Sequence, residues 1–306
     1  MMELKSLPLF TDFLDWYKKT SYKLFSNIIE KQTKYFESLR PDLKKANMKI
    51  SLREYLSIGV MTTVLSFVIS LALTLIMSMF ISGFSVIARI MFSLSMSIMI
   101  SVSTFLFFYM YPTYVVNQRR RSIDFTLPFA TLYLATISGG NAPIKTMFKI
   151  LSEFEDFGEI SKEAAEITKN IEFFGMSALD ALKKAADKSP SEEFKELLWG
   201  INTTVSSGGD LSRYLHEKSM EFMQDYRRRM KEYAQGMSTA LEVYITVVIV
   251  GSIFFVVISS LMSAFGLGTS FVELIVISQF LTIFVGLPLI SIGFIFFLKR
   301  LSPLRK

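Results

Sequence analysis

Residues 55–81 read YLSIGVMTTVLSFVISLALTLIMSMFI and hold no charged side chain. A helix needs roughly 20 apolar residues to cross the hydrocarbon core of a bilayer, and this run exceeds that. Leu71, Leu73, Leu75 and Ile76 place apolar groups all round the helix, where a surface helix of a soluble protein would keep a polar face. Three more runs have the same character: 84–111 with Arg89 near its start, 241–265 with Glu242 at its entrance, and 274–298. Burying four such helices in water would demand a very large soluble core, so they read as membrane spans. The composition agrees. The chain has 306 residues, of which 51% are hydrophobic and 20% charged, with a formal net charge of +6. That is too apolar for an ordinary soluble domain and too charged for a chain lying wholly in lipid, so membrane segments plus a polar domain are implied.

The spans pair into two hairpins, turning at Ser82-Gly83 and at Gly266-Leu267-Gly268-Thr269-Ser270. Lysine and arginine flank the opposite ends: Lys44, Lys45, Lys49 and Arg53 before span one, Arg119-Arg120-Arg121 after span two, Arg227-Arg228-Arg229 and Lys231 before span three, and Lys299, Arg300, Arg305 and Lys306 after span four. The positive-inside rule then puts both termini and residues 113–240 in the cytoplasm. The expected organisation is a cytoplasmic amphipathic segment (1–54), a first hairpin (55–112), a cytoplasmic helical domain (113–240), a second hairpin (241–298) and a basic tail (299–306). Residues 1–30 hold Glu3, Asp12 and Asp15 and no unbroken apolar core, so no cleavable signal peptide is read there. Phe13, Tyr17, Leu24 and Ile28 have helical spacing; that helix lies on the membrane surface or packs on the cytoplasmic domain.

The fold class is therefore an all-α integral membrane protein, with two hairpins flanking a six-helix cytoplasmic bundle. Helix one is read over 118–138, with Pro128 bending it or starting its regular part. Gly139-Gly140 ends it and Asn141 caps helix two, which buries Ile144, Met147, Phe148 and Leu151. Helix three follows Gly158 and shows Ile160, Ala164, Ile167, Ile171 and Phe174 on one face. Ser177 caps helix four. Ser189-Pro190-Ser191-Glu192 reads as a capping box opening helix five, with Phe194, Leu197, Leu198, Ile201 and Val205 facing the core. Gly208-Gly209 ends it, Asp210 caps helix six, and helix six runs on toward span three. The two Gly-Gly corners echo each other; two glycines allow positive φ and close helix approach. They are either tight helix–helix corners or a surface gripped by a partner.

Several functions are excluded or weakened. With no Cys and one His, disulfides and thiolate metal sites are impossible, and zinc and Ser-His chemistry lose their usual ligands. No phosphate loop, dinucleotide fingerprint, HExxH, nucleophile elbow or EF-hand is present. No cofactor and no metal is expected. His216, in Tyr-Leu-His-Glu-Lys, reads as solvated. The charge excess is too small and scattered to argue for nucleic acid. Arg89, Glu242 and Glu273 lie near span ends, whereas an ion path needs charge nearer the centre.

Three sets of residues stand out as candidate contacts. Arg119, Arg120, Arg121, Arg227, Arg228, Arg229 and Lys231 lie where the polar domain meets the membrane. Three consecutive helical residues spread over about 200°, so part of each triplet meets water, lipid or a partner. Pro128, Gly139, Gly140, Asn141, Gly208, Gly209 and Asp210 are the structural corners. Ser66, Ser70 and Thr74 in span one, and Ser93, Ser97 and Ser101 in span two, repeat every four residues. Such small residues make a groove for intrachain packing, a subunit interface or a partner helix.

The order of local motifs resembles the type II secretion system F family, the membrane platforms of type IV pilus, Tad-type and archaellum machines. The matching residues are Asp124-Phe125-Thr126-Leu127-Pro128, Ser138-Gly139-Gly140, Gly175-Met176-Ser177-Ala178-Leu179-Asp180-Ala181-Leu182, Ser189-Pro190, Ser207-Gly208-Gly209-Asp210-Leu211 and Tyr214-Leu215, within residues 113–300. The resemblance implies a non-enzymatic platform on which a cytoplasmic hexameric secretion ATPase acts to move pilin-like subunits into a filament, with lipid or ATPase contacts at the arginine triplets. Many family members carry two copies of the domain and this chain carries one, which implies a homodimer or a paired paralogue. The competing reading is a four-span ion-channel stator or energiser of a motor or exporter. It asks for functional polar or proline residues in spans three and four, where only Pro288 and scattered Ser, Thr and Gly answer. A membrane sensor would need an exterior domain, and both outer loops are short.

Overall fold

The computed structural model describes residues 16–25, 29, 33–48, 50–79, 85–140, 142–265 and 277–301. Phe13, Ile28, Lys49, Asn141, Glu273, both hairpin turns and the basic residues Arg305 and Lys306 lie outside them, as do Glu3, Asp12 and Asp15. Among the described residues the fold is helical, with no strand. The helices are α1 (residues 16–25), α2 (Leu39–Lys45), α3 (Leu52–Met79), α4 (Val86–Ser138), α5 (Ile144–Glu153), α6 (Glu159–Glu172), α7 (Ala178–Lys188), α8 (Glu192–Ser206), α9 (Leu211–Ile245), α10 (Gly251–Ala264) and α11 (Leu287–Leu301). Four of the helical stretches are long and apolar enough to cross a membrane. The protein is a multi-pass integral membrane protein. The chain divides into two compact units, 1–218 and 219–306.

In the first unit, α3 and α4 form the membrane hairpin. α4 does not stop at the membrane. It continues as one helix to Ser138, through both Pro112 and Pro128. Two separate helices were expected here. Proline removes a helix hydrogen bond and costs about 3 kcal/mol in a helix interior. Around Pro128, burial of Leu127, Ala130, Thr131 and Leu134 outweighs that cost. The end of α4 packs with α5, α6 and α8. The core holds Ile123, Leu127 and Leu134 of α4 with Met147, Phe148, Leu151, Ile160, Ala164, Ile167, Leu182, Phe194, Leu197, Leu198 and Ile201, all at most 1% exposed.

Local signals set most helix ends. Gly158 at φ 58° opens α6, as only glycine adopts that conformation cheaply. Ser177 Oγ accepts the Asp180 N–H. At α8 the cap is Ser191, whose Oγ accepts the Phe194 N–H. The expected box opening at Ser189 is thus shifted by two residues: Ser189 closes α7, and Pro190 precedes the cap instead of following it. Phe174 is also a correction, because α6 ends at Glu172 and Phe174 is 66% exposed in the following turn. Ile144 and Val205 are half-buried at the margins of their helices.

The segment before α3 packs on the base of the first hairpin. Ile29, Leu39, Leu43, Leu52, Tyr55 and Leu56 form a second apolar cluster, with Phe25, Phe36, Met48, Val60 and Phe108 against it. The Tyr55 hydroxyl donates to the Phe108 carbonyl at 2.7 Å and so ties α3 to α4.

In the second unit, the two apolar helices each contain a π turn, Thr246–Val250 and Thr282–Gly286. The second lies just before Pro288, whose missing N–H disrupts the regular ladder upstream. Tyr244 stacks on Phe294 at 4.3 Å and its hydroxyl shares a 2.8 Å hydrogen bond with Ser291, which holds the hairpin together.

Candidate functional site

A polar layer lies where α4 leaves the first hairpin and enters the polar domain, and Arg119 is its centre. Arg119 Nε donates to Glu159 Oε2 at 2.8 Å and Nη2 donates to Glu163 Oε1 at 2.6 Å. Nη1 donates to the Lys45 carbonyl. One guanidinium therefore joins α4, the first two turns of α6 and the end of α2. The fork geometry of arginine suits this, since its donors are fixed in one plane. Around it, Thr113 Oγ1 donates to Asp42 Oδ2 at 2.7 Å, Ser191 Oγ donates to Asp124 Oδ1, and Lys45 lies 3.9 Å from Glu192.

The charges in this layer are not equivalent. Glu163 is 5% exposed. Burial pushes its carboxyl above the usual carboxylate range, against the pull of Arg119. For Glu159 burial also acts upward, but the hydrogen bonds and charges of Lys162 and Arg119 outweigh it and hold the carboxyl below that range. Burial works against the Arg119 cation, and the two glutamates outweigh it and keep the guanidinium protonated.

The remaining cations of the arginine sets, Arg229 apart, face outward. Arg120 is half exposed and 3.5 Å from Asp124. Arg121 is exposed, with no ion pair among the described residues. Arg227 and Lys231 are exposed, Arg228 pairs with Asp225 at 3.1 Å, and Arg229 is half-buried. The first triplet thus splits by function: Arg119 is an internal tie and its two neighbours face outward. The sequence signal for the tie was Glu163, an acid set between Ile160, Ala164 and Ile167 on the apolar face of α6. A buried acid there needs a buried cation.

The two glycine corners differ in conformation. Gly208 takes φ 71°, while Gly139 stays helical at φ −59° and the described residues give Gly140 no positive φ. The expected positive φ thus holds at the second corner only, because α4 ends in ordinary helical geometry. Asp210 Oδ1 accepts the Arg213 N–H at 3.0 Å and caps α9. A Cβ on Gly209 would lie 3.2 Å from Thr204, and one on Gly139 would lie 4.0 Å from Ser212 Oγ. The corners are thus neighbours at one end of the polar domain. Pro128 is buried within α4.

The serine and threonine stripes meet inside the first hairpin. Thr74 Oγ1 is 3.4 Å from Ser97 Oγ and 3.5 Å from the Ser93 carbonyl, and Ser101 Oγ donates to the Thr63 carbonyl at 3.3 Å. Ser93 and Ser97 have no exposed surface, Ser70 is buried, and Ser66 is half-buried. The geometry is that of intrachain packing through small residues.

A membrane-embedded helical protein whose polar domain is built on the continuation of a span defines a class, and comparison with known proteins finds what part of it is similar to. Residues 130–259 match the family described as type II secretion system (T2SS), protein F. The matched stretch begins just after Pro128, ends within the third apolar helix and takes in less than half of the chain. An uncharacterized protein of Methanocaldococcus jannaschii is 26% identical over 136 residues, covering 44% of this chain and 23% of that protein. Flagella accessory protein J of the same organism is 27% identical over 171 residues, 56% of this chain and 30% of the relative. Flagella accessory protein J of Methanococcus voltae is 20% identical over 181 residues, 59% and 32% respectively. The matched stretches span a third or less of those relatives' own length. No solved structure matches the chain.

Proposed function

We propose that this protein is the membrane platform of a type IV pilus-like, archaellum-like or type II secretion machine, and that it works mechanically and not as an enzyme. A cytoplasmic hexameric secretion ATPase acts on the polar helical domain, and the platform passes the displacement to pilin-like subunits leaving the membrane for a filament. The family match over 130–259 and similarity to relatives named as flagella accessory proteins support the reading. The observation that carries it is α4. Its 53 residues run without a break from the first hairpin into the polar domain. At 1.5 Å per residue that is a rod of about 80 Å. Arg119 ties it to α6 and α2, so a push on the polar domain moves the span instead of bending a linker.

In this reading both termini and residues 113–240 face the cytoplasm of the inner or cytoplasmic membrane, and a second copy or a paralogue completes the platform. Arg120, Arg121, Arg227, Arg228, Arg229 and Lys231 meet lipid headgroups or the ATPase, and the corners at 139–140 and 208–210 are further ATPase contacts. Replacing Arg227, Arg228 and Arg229 by Gln tests the coupling. Insertion should persist, since the other cation clusters remain, while filament assembly fails and the ATPase no longer co-purifies. Normal filaments with a correctly inserted variant would reduce this triplet to a headgroup anchor.

A further inference from the structure

Helix α1 is attached to a span, α3. The Tyr17 hydroxyl and Thr62 Oγ1 are 2.9 Å apart, and Ser21 Oγ lies 2.9 Å from Met61 Sδ. Ser21 has no exposed surface, and Phe25 packs on the cluster at the hairpin base. Thr62 lies eight residues beyond Glu54, the last charged side chain before the apolar run of α3. At 1.5 Å per residue that is about 12 Å along the helix. The headgroup layer on one side of a bilayer is only about 5–7 Å deep. The contact point therefore lies below the headgroups. At the same level α3 leaves Val64, Leu65 and Val68 about half exposed, and the neighbours of a bare span face at that depth are acyl chains.

The side chains of α1 sort accordingly. Tyr17, Ser21 and Phe25 turn toward α3. One edge beside them carries Trp16, Thr20 and Leu24 at four-residue spacing, with Trp16 58% and Leu24 61% exposed. The rest of the outer surface carries Lys18, Lys19, Tyr22 and Lys23, all exposed. An apolar edge, aromatic rings with polar tips and three lysines are the composition of a helix lying in a bilayer interface. Lysine stems lie along apolar surface while the ammonium reaches outward.

We propose that α1 is an in-plane membrane helix. Its Trp16–Leu24 edge sits among acyl chains, and Lys18, Lys19 and Lys23 meet the phosphates of anionic phospholipids. The chain has two tryptophans, so Trp199→Phe leaves Trp16 as its one fluorophore. The full chain is reconstituted in vesicles of phosphatidylcholine and phosphatidylglycerol, with or without bromine near the headgroup end of the acyl chains. Trp16 should emit at short wavelength and lose most of its emission in brominated vesicles. Trp16→Phe, which keeps Trp199 in the polar domain, should be indifferent to bromine. Unquenched, long-wavelength Trp16 emission would overturn the proposal, because that edge would then face water. Unquenched emission protected from acrylamide would overturn it in favour of a protein neighbour, and equal quenching of both variants would remove the assignment to α1.

Discussion

Arg119→Met keeps the length of the side chain and removes the cation, and the pH dependence of its effect is set by the layer around it. In the native protein Glu163 is buried against the guanidinium. Without Arg119 the ionised carboxylate has no partner at hydrogen-bond distance from α4. Breaking a buried pair costs about 3–5 kcal/mol. At roughly 2–4 °C per kcal/mol, the midpoint of thermal unfolding in detergent should fall by roughly 6–20 °C at pH 8. The sign with pH follows from the shifts. A carboxyl whose pKa is higher folded than unfolded supports the fold below its unfolded value and loses that support as pH rises through the folded value. Glu163 is raised by burial even with Arg119 beside it, and losing Arg119 raises it further. As pH falls through that raised value Glu163 takes up a proton, and the loss should shrink to about 1–3 kcal/mol, the cost of poorly satisfied polar groups. Glu159 runs oppositely. Its lowered value supports the native fold above the ordinary carboxylate range and is lost as pH falls through the folded value. Adding Glu163→Gln to Arg119→Met should recover much of the pH 8 loss, since the unpaired charge is gone. A loss that does not shrink as pH falls from 8, or a Glu163→Gln effect that adds to it, would refute the reasoning.

Three further outcomes are expected. Ser70→Leu and Ser97→Leu should each lower detergent stability by about 1–3 kcal/mol through overpacking between α3 and α4, as read by thermal unfolding; unchanged stability in both would remove the packing role. Gly208→Ala should cost about 1–2 kcal/mol, because a side chain is strained at positive φ, whereas Gly139→Ala, in helical conformation with nothing nearer than 3.4 Å, should be far milder. A cysteine at Ser207, in a chain with none of its own, should react with an impermeant reagent only after cell lysis, and labelling in intact cells would invert the topology.

The four spans, the segments of the polar domain and most of its core were legible in the sequence, because long uncharged runs and apolar residues at helical spacing are local signals. Ser177, Gly158 and Asp210 announced helix ends for the same reason: a cap satisfies N–H groups within one turn. The continuity of α4 was not legible. Pro112 and Pro128 are locally unfavourable in a helix, and only the burial of Leu127, Ala130 and Leu134 against other helices reverses the balance. The serine and threonine stripes could be counted in sequence, but their meeting depends on the register between α3 and α4, which the turn and packing set together. The role of Arg119 was least visible. Its two glutamates lie 40 and 44 residues away, so three adjacent arginines look alike until the fold turns one inward. Sequence by itself determined which segments enter the membrane and which form helices, because hydropathy and capping act within a few turns. Tertiary structure alone decided which helices fuse into one rod, which arginine is internal and where α1 lies, because those depend on groups brought together from distant parts of the chain.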